Sequence, residues 1–120
     1  LEFAGAKNPL YVLRNNEIIE MKGDKHAIGE LNENNELPAY LNKSLELKKG
    51  DIIYAFSDGF ADQFGGPKGK KFKYSKMKEL FISLGNKPMK EQGETIINTF
   101  GDWKGELDQV DDVCIVGIRI

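Results

Sequence analysis

The stretch LKKGDIIYAFSDG, residues 47–59, decides the fold. Its centre, residues 52–56, is a continuous apolar run bounded by turn signals, which predicts a strand buried on both faces of a sheet. A turn at residues 48–51 leads into this strand, and Ser57-Asp58-Gly59 ends it abruptly. We therefore expect Asp58 at the end of a core strand, on a rigid support at the edge of the core.

Short apolar runs separated by turn residues precede this stretch. Three of them are predicted strands: residues 1–6, 10–14 and 17–22. Pro9 and the pair Asn15-Asn16 preset or tolerate the dihedral angles of tight turns, so the simplest arrangement is a meander of three strands. Residues 23–38 are polar and rich in turn residues, which indicates a surface loop. Residues 41–47 alternate enough to predict a half-buried strand.

Two amphipathic helices are predicted downstream. The apolar positions of the first helix recur at i, i+3, i+4 and i+7: Met77, Leu80, Phe81 and Leu84. Ser75 is expected to cap its start, and Gly85 follows its end. The second helix is expected from about Pro88 to Phe100, with Ile96, Ile97 and its last residue buried.

The last strand, residues 113–120, must return to the sheet formed by the earlier strands. Strands, two helices and a final strand make an α+β fold. Cys114 alternates with apolar residues along this strand and is expected to be a buried thiol. Trp103 follows the second helix and is expected to anchor that segment to the core, with an exposed docking role as the alternative.

Composition and charge exclude several classes of protein. The chain has 120 residues, enough for one domain, and its formal net charge of −2 gives no attraction to nucleic acid. No apolar run approaches the roughly 20 residues of a spanning helix, so no membrane contact is expected. A single cysteine fits a reducing, cytoplasmic compartment. The first residues are not those of a natural start and read as a strand already under way, so we expect a piece of a larger protein.

Two acidic features lie at predicted strand ends. Asp58 follows one apolar strand, and Asp111-Asp112 immediately precede another. If these strands are neighbours, the carboxylates converge on one cation, and oxygen ligands without His or Cys suit Mg²⁺ or Mn²⁺. Gly59 would let backbone or solvent approach closely. The alternative is that Ser-Asp-Gly is a simple turn and Asp-Asp a solvated strand start.

A dense basic stretch follows the first acidic feature. Its lysines are Lys68, Lys70, Lys71, Lys73, Lys76 and Lys78. The first three are candidates for facing a substrate, because local positive charge attracts a phosphorylated or acidic protein surface even when the net charge is negative. The alternative is a solvated loop and helix start.

The motifs at residues 47–59 and 109–116, with their order and the helices between them, resemble the SpoIIE-like (RsbU-like) branch of the PPM, or type 2C, metal-dependent serine/threonine protein phosphatases. Further similar segments are FAGA at residues 3–6, NPLY at 8–11 and AIG at 27–29. The resemblance covers essentially the whole chain. It implies a partial α-β-β-α sandwich, mostly antiparallel, with two helices inserted before the last strand.

The resemblance also implies a two-metal site at one end of the sheets. Asp58 and Asp111 match the family's metal-binding aspartates, Asp112 falls where relatives have Asp or Asn and is given a supporting role beside Gly59, and the metals are Mn²⁺ or Mg²⁺. The family's other essential ligands precede the matched region. Residues 1–120 are therefore expected to be a single truncated catalytic domain, its C-terminal half, with an incomplete site.

The expected function is hydrolysis of phosphoserine or phosphothreonine with a metal-activated water as nucleophile. The resemblance implies a phosphoprotein substrate such as an anti-sigma-factor antagonist in bacterial signalling. The isolated chain is expected to turn over little substrate and to self-associate through exposed sheet edges. The competing hypothesis is a non-catalytic pseudophosphatase or protein-interaction module.

Overall fold

The computed structural model describes residues 1–120 and contains eight strands and three helices. In chain order they are β1 (Glu2–Phe3), β2 (Leu10–Arg14), β3 (Glu17–Met21), β4 (Lys43–Ser44), β5 (Ile52–Phe56), α1 (Gly59–Asp62), β6 (Phe64–Gly65), β7 (Lys70–Lys71), α2 (Tyr74–Leu84), α3 (Met89–Lys104) and β8 (Ile115–Arg119). None of the helices is long and apolar enough to cross a membrane.

The central sheet has four antiparallel strands in the order β3-β2-β5-β8. Asn15 and Asn16 both have positive φ, 51° and 63°, as the two-residue turn of the β2–β3 hairpin requires. The last strand returns to pair with β5, with Ala55 opposite Val116 and Phe56 opposite Ile115. The predicted α+β class and the two helices before the last strand are confirmed.

The predicted three-stranded meander is wrong, because β1 pairs with β4 and not with β2. Both edges of β2 are occupied, one by β3 and the other by β5, so the first strand has no free edge to join. The predicted strand at residues 41–47 is correspondingly reduced to Lys43–Ser44. The two short strands form a separate small sheet.

Helices α2 and α3 pack against one face of the central sheet. Met77, Phe81 and Leu84 of α2 are buried, and Phe81 stacks on Tyr54 of β5 with ring centroids 4.1 Å apart. The Tyr54 hydroxyl donates a 2.6 Å hydrogen bond to Gln92 Oε1 on α3. A stacked aromatic pair and a satisfied buried polar pair therefore fix both helices over β5.

Three details of the predicted helices differ. Helix α2 begins at Tyr74 with Lys73 as its N-cap residue, so Ser75 lies inside the first turn and does not cap it. Helix α3 extends to Lys104. Ile97 is 71% exposed, because the buried stripe of α3 runs through Gln92 and Ile96 and the next residue falls about 100° away.

The opposite face of the sheet is covered at β2 but open at β8. Val12 on β2 is fully buried, whereas Ile118 on β8 is 53% exposed. The predicted burial of residues 52–56 on both faces fails at Ala55, and Cys114 is exposed and not a buried thiol. The alternation correctly indicated that Cys114 shares one face of the sheet with Ile118. No other part of this chain covers that face at β8.

Candidate active site

Asp58 lies where strand β5 turns into the short helix α1. It is the N-cap residue of α1, its carbonyl accepts a 3.0 Å hydrogen bond from the Asp62 N–H, and its side chain makes no capping hydrogen bond. The residue is half-buried. The carboxylate is thus held by rigid elements on both sides and is not used to cap the helix.

Ser57 fastens the start of β8 to the end of β5. Its Oγ donates to the Asp112 carbonyl at 2.8 Å and accepts from the Cys114 N–H at 2.9 Å. Its own N–H donates to the Cys114 carbonyl at 3.0 Å. These three bonds hold the segment that carries Asp111 and Asp112 beside the Asp58 turn.

Gly59 is the point of closest approach between the two acidic segments. A Cβ atom there would lie 2.4 Å from the Asp112 carbonyl oxygen and 3.2 Å from that of Asp111. Only glycine permits this contact without a shift of the backbone. The structure therefore brings Gly59, Asp111 and Asp112 together next to Asp58, at the same end of two neighbouring strands.

Asp111 and Asp112 are both exposed. Asp111 Oδ1 accepts a 2.7 Å hydrogen bond from the Asp112 N–H, and the Asp111 carbonyl accepts one of 2.8 Å from Gln109 Nε2. These local bonds fix the turn that precedes β8. One carboxylate oxygen of Asp111 makes no hydrogen bond to the chain and can face a ligand.

The side chain of Gln63 stabilises the segment before this turn by hydrogen bonds. The sequence motifs did not indicate this residue. The side chain is completely buried. Its Nε2 donates to the Asp108 carbonyl at 2.9 Å and its Oε1 accepts from the Val110 N–H at 3.3 Å. The only signal in the sequence is its position two residues after the apolar pair Phe60-Ala61, and that position does not distinguish a buried amide from a solvated one.

Tyr74, the first residue of α2, lies close enough to Asp58 and Asp62 to be affected by their negative charges. Burial raises the pKa of its hydroxyl, and the negative charges of Asp58 and Asp62 raise it further. A tyrosine hydroxyl is a neutral hydrogen-bond donor at physiological pH, and both effects act in the same direction. It is a second residue near the candidate site that the sequence motifs did not indicate.

The donor set suits a hard divalent cation in kind but not in number. Asp58 and Asp111 offer carboxylate oxygens, as Mg²⁺ and Mn²⁺ prefer. No group of three or more His, Cys, Asp or Glu side chains in the chain is placed to hold a metal ion. The residues present therefore fit one side of a metal centre and leave the rest of the coordination to other groups.

The lysines predicted to face a substrate lie around a separate cleft. Lys68, Lys70 and Lys71 line a cavity of about 420 Å³ together with residues of the α2 start and with Trp103. Lys71 forms a 3.0 Å ion pair with Asp62 at the end of α1. The structure thus places these three lysines beside α1, at the other end of the short helix from Asp58, whereas Lys78 lies elsewhere and pairs with Glu20 at 2.7 Å.

Solved structures share this architecture. The SiaA-PP2C domain of Pseudomonas aeruginosa superimposes with a TM-score of 0.88 at 34% identity, over 99% of this chain and 45% of that one. The PP2C phosphatase domain with a regulatory fragment of the cell fate determinant SpoIIE from Bacillus subtilis gives 0.72 at 22% identity, over 99% and 33%. Its manganese-presoaked phosphatase domain gives 0.65 at 20%, over 100% and 55%. The fold is therefore that of PP2C phosphatase domains.

The sequence profile of the family Stage II sporulation protein E (SpoIIE) matches residues 1–120, the whole chain. The chain belongs to the SpoIIE family, a branch of the PPM phosphatases, which confirms the resemblance and the partial sandwich it implies. It spans less than half of the SiaA-PP2C structure and a third of the longer SpoIIE structure. No curated protein sequence matches it significantly.

Proposed function

We propose that residues 1–120 form the C-terminal half of the catalytic domain of a metal-dependent phosphoserine/phosphothreonine protein phosphatase. The observation that carries the proposal is the packing of Gly59 against the Asp111-Asp112 turn, which sets two candidate metal carboxylates on neighbouring strand ends. A simple turn and a solvated strand start do not require a Cβ-free contact between them. Family membership supports the same reading.

In this proposal Asp58 and Asp111 hold Mn²⁺ or Mg²⁺, with Asp112 and Gly59 in support. When bound, such metals lower the pKa of a water and neutralise charge on the phosphoryl group. The chain's own contribution is to position the carboxylates. Strand β5 and α1 fix Asp58, and Ser57 and Gln63 fix the turn that carries Asp111. Tyr74 supplies a neutral hydroxyl near that site.

The remaining ligands are proposed to come from the N-terminal half of the domain. The isolated chain should then bind Mn²⁺ weakly and hydrolyse little p-nitrophenyl phosphate, whereas a polypeptide carrying both halves should be active. Asp58→Asn should abolish that activity and Asp108→Asn should not. Robust hydrolysis by the isolated chain that disappears with Asp58→Asn would contradict the proposal that the site in this chain is incomplete.

The physiological substrate proposed is a phosphoprotein of a bacterial signalling switch, such as an anti-sigma-factor antagonist, in the cytoplasm. This follows the family resemblance. The test is to incubate the two-half polypeptide with Mn²⁺ and a phosphorylated antagonist and to follow dephosphorylation by mass spectrometry. Hydrolysis of p-nitrophenyl phosphate without any hydrolysis of phosphoserine would contradict it.

A pseudophosphatase is the second candidate, because no group of three metal-binding side chains lies within this chain. The phosphatase and pseudophosphatase hypotheses make different predictions for the sequence upstream of Leu1. The enzyme requires an Asp on an early strand and a further Asp-Gly pair there. Substitution of both would favour a binding module.

A further inference from the structure

The cleft beside α1 concentrates positive charge in a protein whose net charge is −2. The cleft is lined by five exposed lysines and by no acidic residue. These lysines are Lys68, Lys70, Lys71, Lys73 and Lys76. Only Lys71 has an acidic partner, Asp62. Four ammonium groups without an ion-pair partner thus surround a cleft of about 420 Å³ and give it a local excess of positive charge.

The cleft has a rigid wall. A Cβ on Gly65 would lie 1.8 Å from the Trp103 carbonyl oxygen, and one on Gly66 would lie 2.5 Å from the Trp103 ring. The hairpin formed by β6 and β7 is thus pressed against the end of α3. The Trp103 indole Nε1–H donates to the Gln63 carbonyl at 3.0 Å. Trp103 does anchor its segment to the core, as the sequence predicted, and it also lines the cleft.

Lys76 restricts what can bind against the Trp103 ring. Its Nζ lies 4.0 Å from the centroid of the Trp103 ring, a cation–π contact. The ammonium therefore occupies one face of the ring, a position in which it competes with a stacking nucleic-acid base. A ligand that presents carboxylates or phosphates to the lysine ammonium groups, without needing the aromatic face, fits this arrangement better than a single-stranded nucleic acid.

The cleft is joined directly to the candidate active site. The Phe72 N–H donates to the Gln63 carbonyl at 2.9 Å, and the Lys73 N–H donates to the Ala61 carbonyl at 2.7 Å. Lys73 has a φ of 76°, a strained value for lysine, and this second bond holds it there. Helix α1 separates the cleft from Asp58 and is only about 6 Å long. A bound peptide in an extended conformation would therefore span the distance from the cleft to Asp58 with about two or three residues.

We propose that this lysine cleft binds an acidic segment of the phosphoprotein substrate, a few residues from the phosphorylated one. The proposal rests on the proposed phosphatase function for the identity of the ligand as a substrate. The binding itself needs neither metal nor turnover. Charge complementarity carries the choice of occupant, because an acidic peptide matches the unpaired lysines while the rest of this acidic chain repels a long polyanion.

The test uses fluorescence anisotropy with a fluorescein-labelled hexaglutamate peptide and the metal-free chain. Lys68→Glu/Lys70→Glu should weaken binding about tenfold at about 50 mM NaCl, and added salt should weaken binding to the wild type. The control is Lys49→Glu/Lys90→Glu, which makes the same charge change at two exposed lysines outside the cleft. It should bind within about twofold of wild type.

Absence of hexaglutamate binding, or an equal loss in both double variants, would overturn the proposal. A labelled oligothymidine that binds more tightly than hexaglutamate and is lost in the cleft variant alone would also overturn it, in favour of nucleic acid. Matching urea midpoints of the two variants verify folding. Because the assay contains no metal, its failure leaves the Asp58→Asn hydrolysis test unaffected, and the two proposals fail separately.

Discussion

Gly59→Ala is the substitution that most directly tests the contact between the two acidic segments. The added Cβ would lie 2.4 Å from the Asp112 carbonyl oxygen, and ordinary van der Waals contact begins near 3.4 Å. The Asp111-Asp112 turn must therefore retreat by about 1 Å. The 2.8 Å bond from Ser57 Oγ to the Asp112 carbonyl then lengthens beyond hydrogen-bonding range.

The cost follows from these changes. Overpacking at a tight contact costs about 1–3 kcal/mol, and the lost hydrogen bond costs about 1 kcal/mol. Alanine in place of glycine in a helix returns about 1 kcal/mol. The free energy of unfolding should fall by about 1–3 kcal/mol, which is roughly 1 M in the urea midpoint.

Urea denaturation followed by circular dichroism measures this loss. The matched control is Gly93→Ala in α3, where a Cβ would meet nothing within 4 Å. That variant should gain about 0.5–1 kcal/mol from helix propensity alone. Gly59→Ala with a wild-type midpoint would refute the close packing of the Asp58 and Asp111 segments.

Three further predictions concern an ion pair, a buried amide and the open face of the sheet. The hydrogen bond from Arg14 lowers the pKa of Asp51 to about 2, so wild-type stability should fall as pH drops from about 4 towards 2. Asp51 forms a 2.6 Å ion pair with Arg14. In urea titrations Asp51→Asn should lose about 2 kcal/mol at pH 7 and most of that acid dependence, and an unchanged dependence would contradict a role of this ion pair in stability. Gln63→Ala should release the loop before β8 and cost about 2 kcal/mol by the same assay, and a neutral result would remove its positioning role. Ile118→Lys on the open sheet face should reduce self-association of the chain in sedimentation velocity, Ile97→Lys on the outer side of α3 should not, and a monomeric wild type at high concentration would contradict this prediction.

The elements nearest the site could be predicted because local signals and the fold agree there. Residues 52–56 are apolar between two turns, and the structure places β5 at Ile52–Phe56 in the middle of the sheet. The return of the last strand to that sheet follows from the α+β order. Its position next to β5 was only a condition of the metal-site prediction, and the structure meets that condition. Whether Asp58 and Asp111 bind metal stays a prediction.

What failed depended on long-range choices. The pairing of β1 with β4 is decided by which sheet edges are free, and the chain pattern does not contain that information. Cys114 and Ile97 lie on apolar positions whose period is clear, but periodicity does not say whether a second layer covers that face. Gln63 is a buried polar residue held by hydrogen bonds to the Asp108 carbonyl and the Val110 N–H, and no periodic pattern identifies such a residue.

The central claim is that Asp58 and Asp111 bind the same divalent cation. Mn²⁺ affinity of the polypeptide carrying both halves of the domain, measured by electron paramagnetic resonance of free Mn²⁺, tests it most directly. Asp58→Asn and Asp111→Asn should each lower the affinity at least about tenfold, their double variant should lose less than the product of the two effects, and Asp108→Asn should match wild type. Wild-type affinity in either single variant would contradict the account.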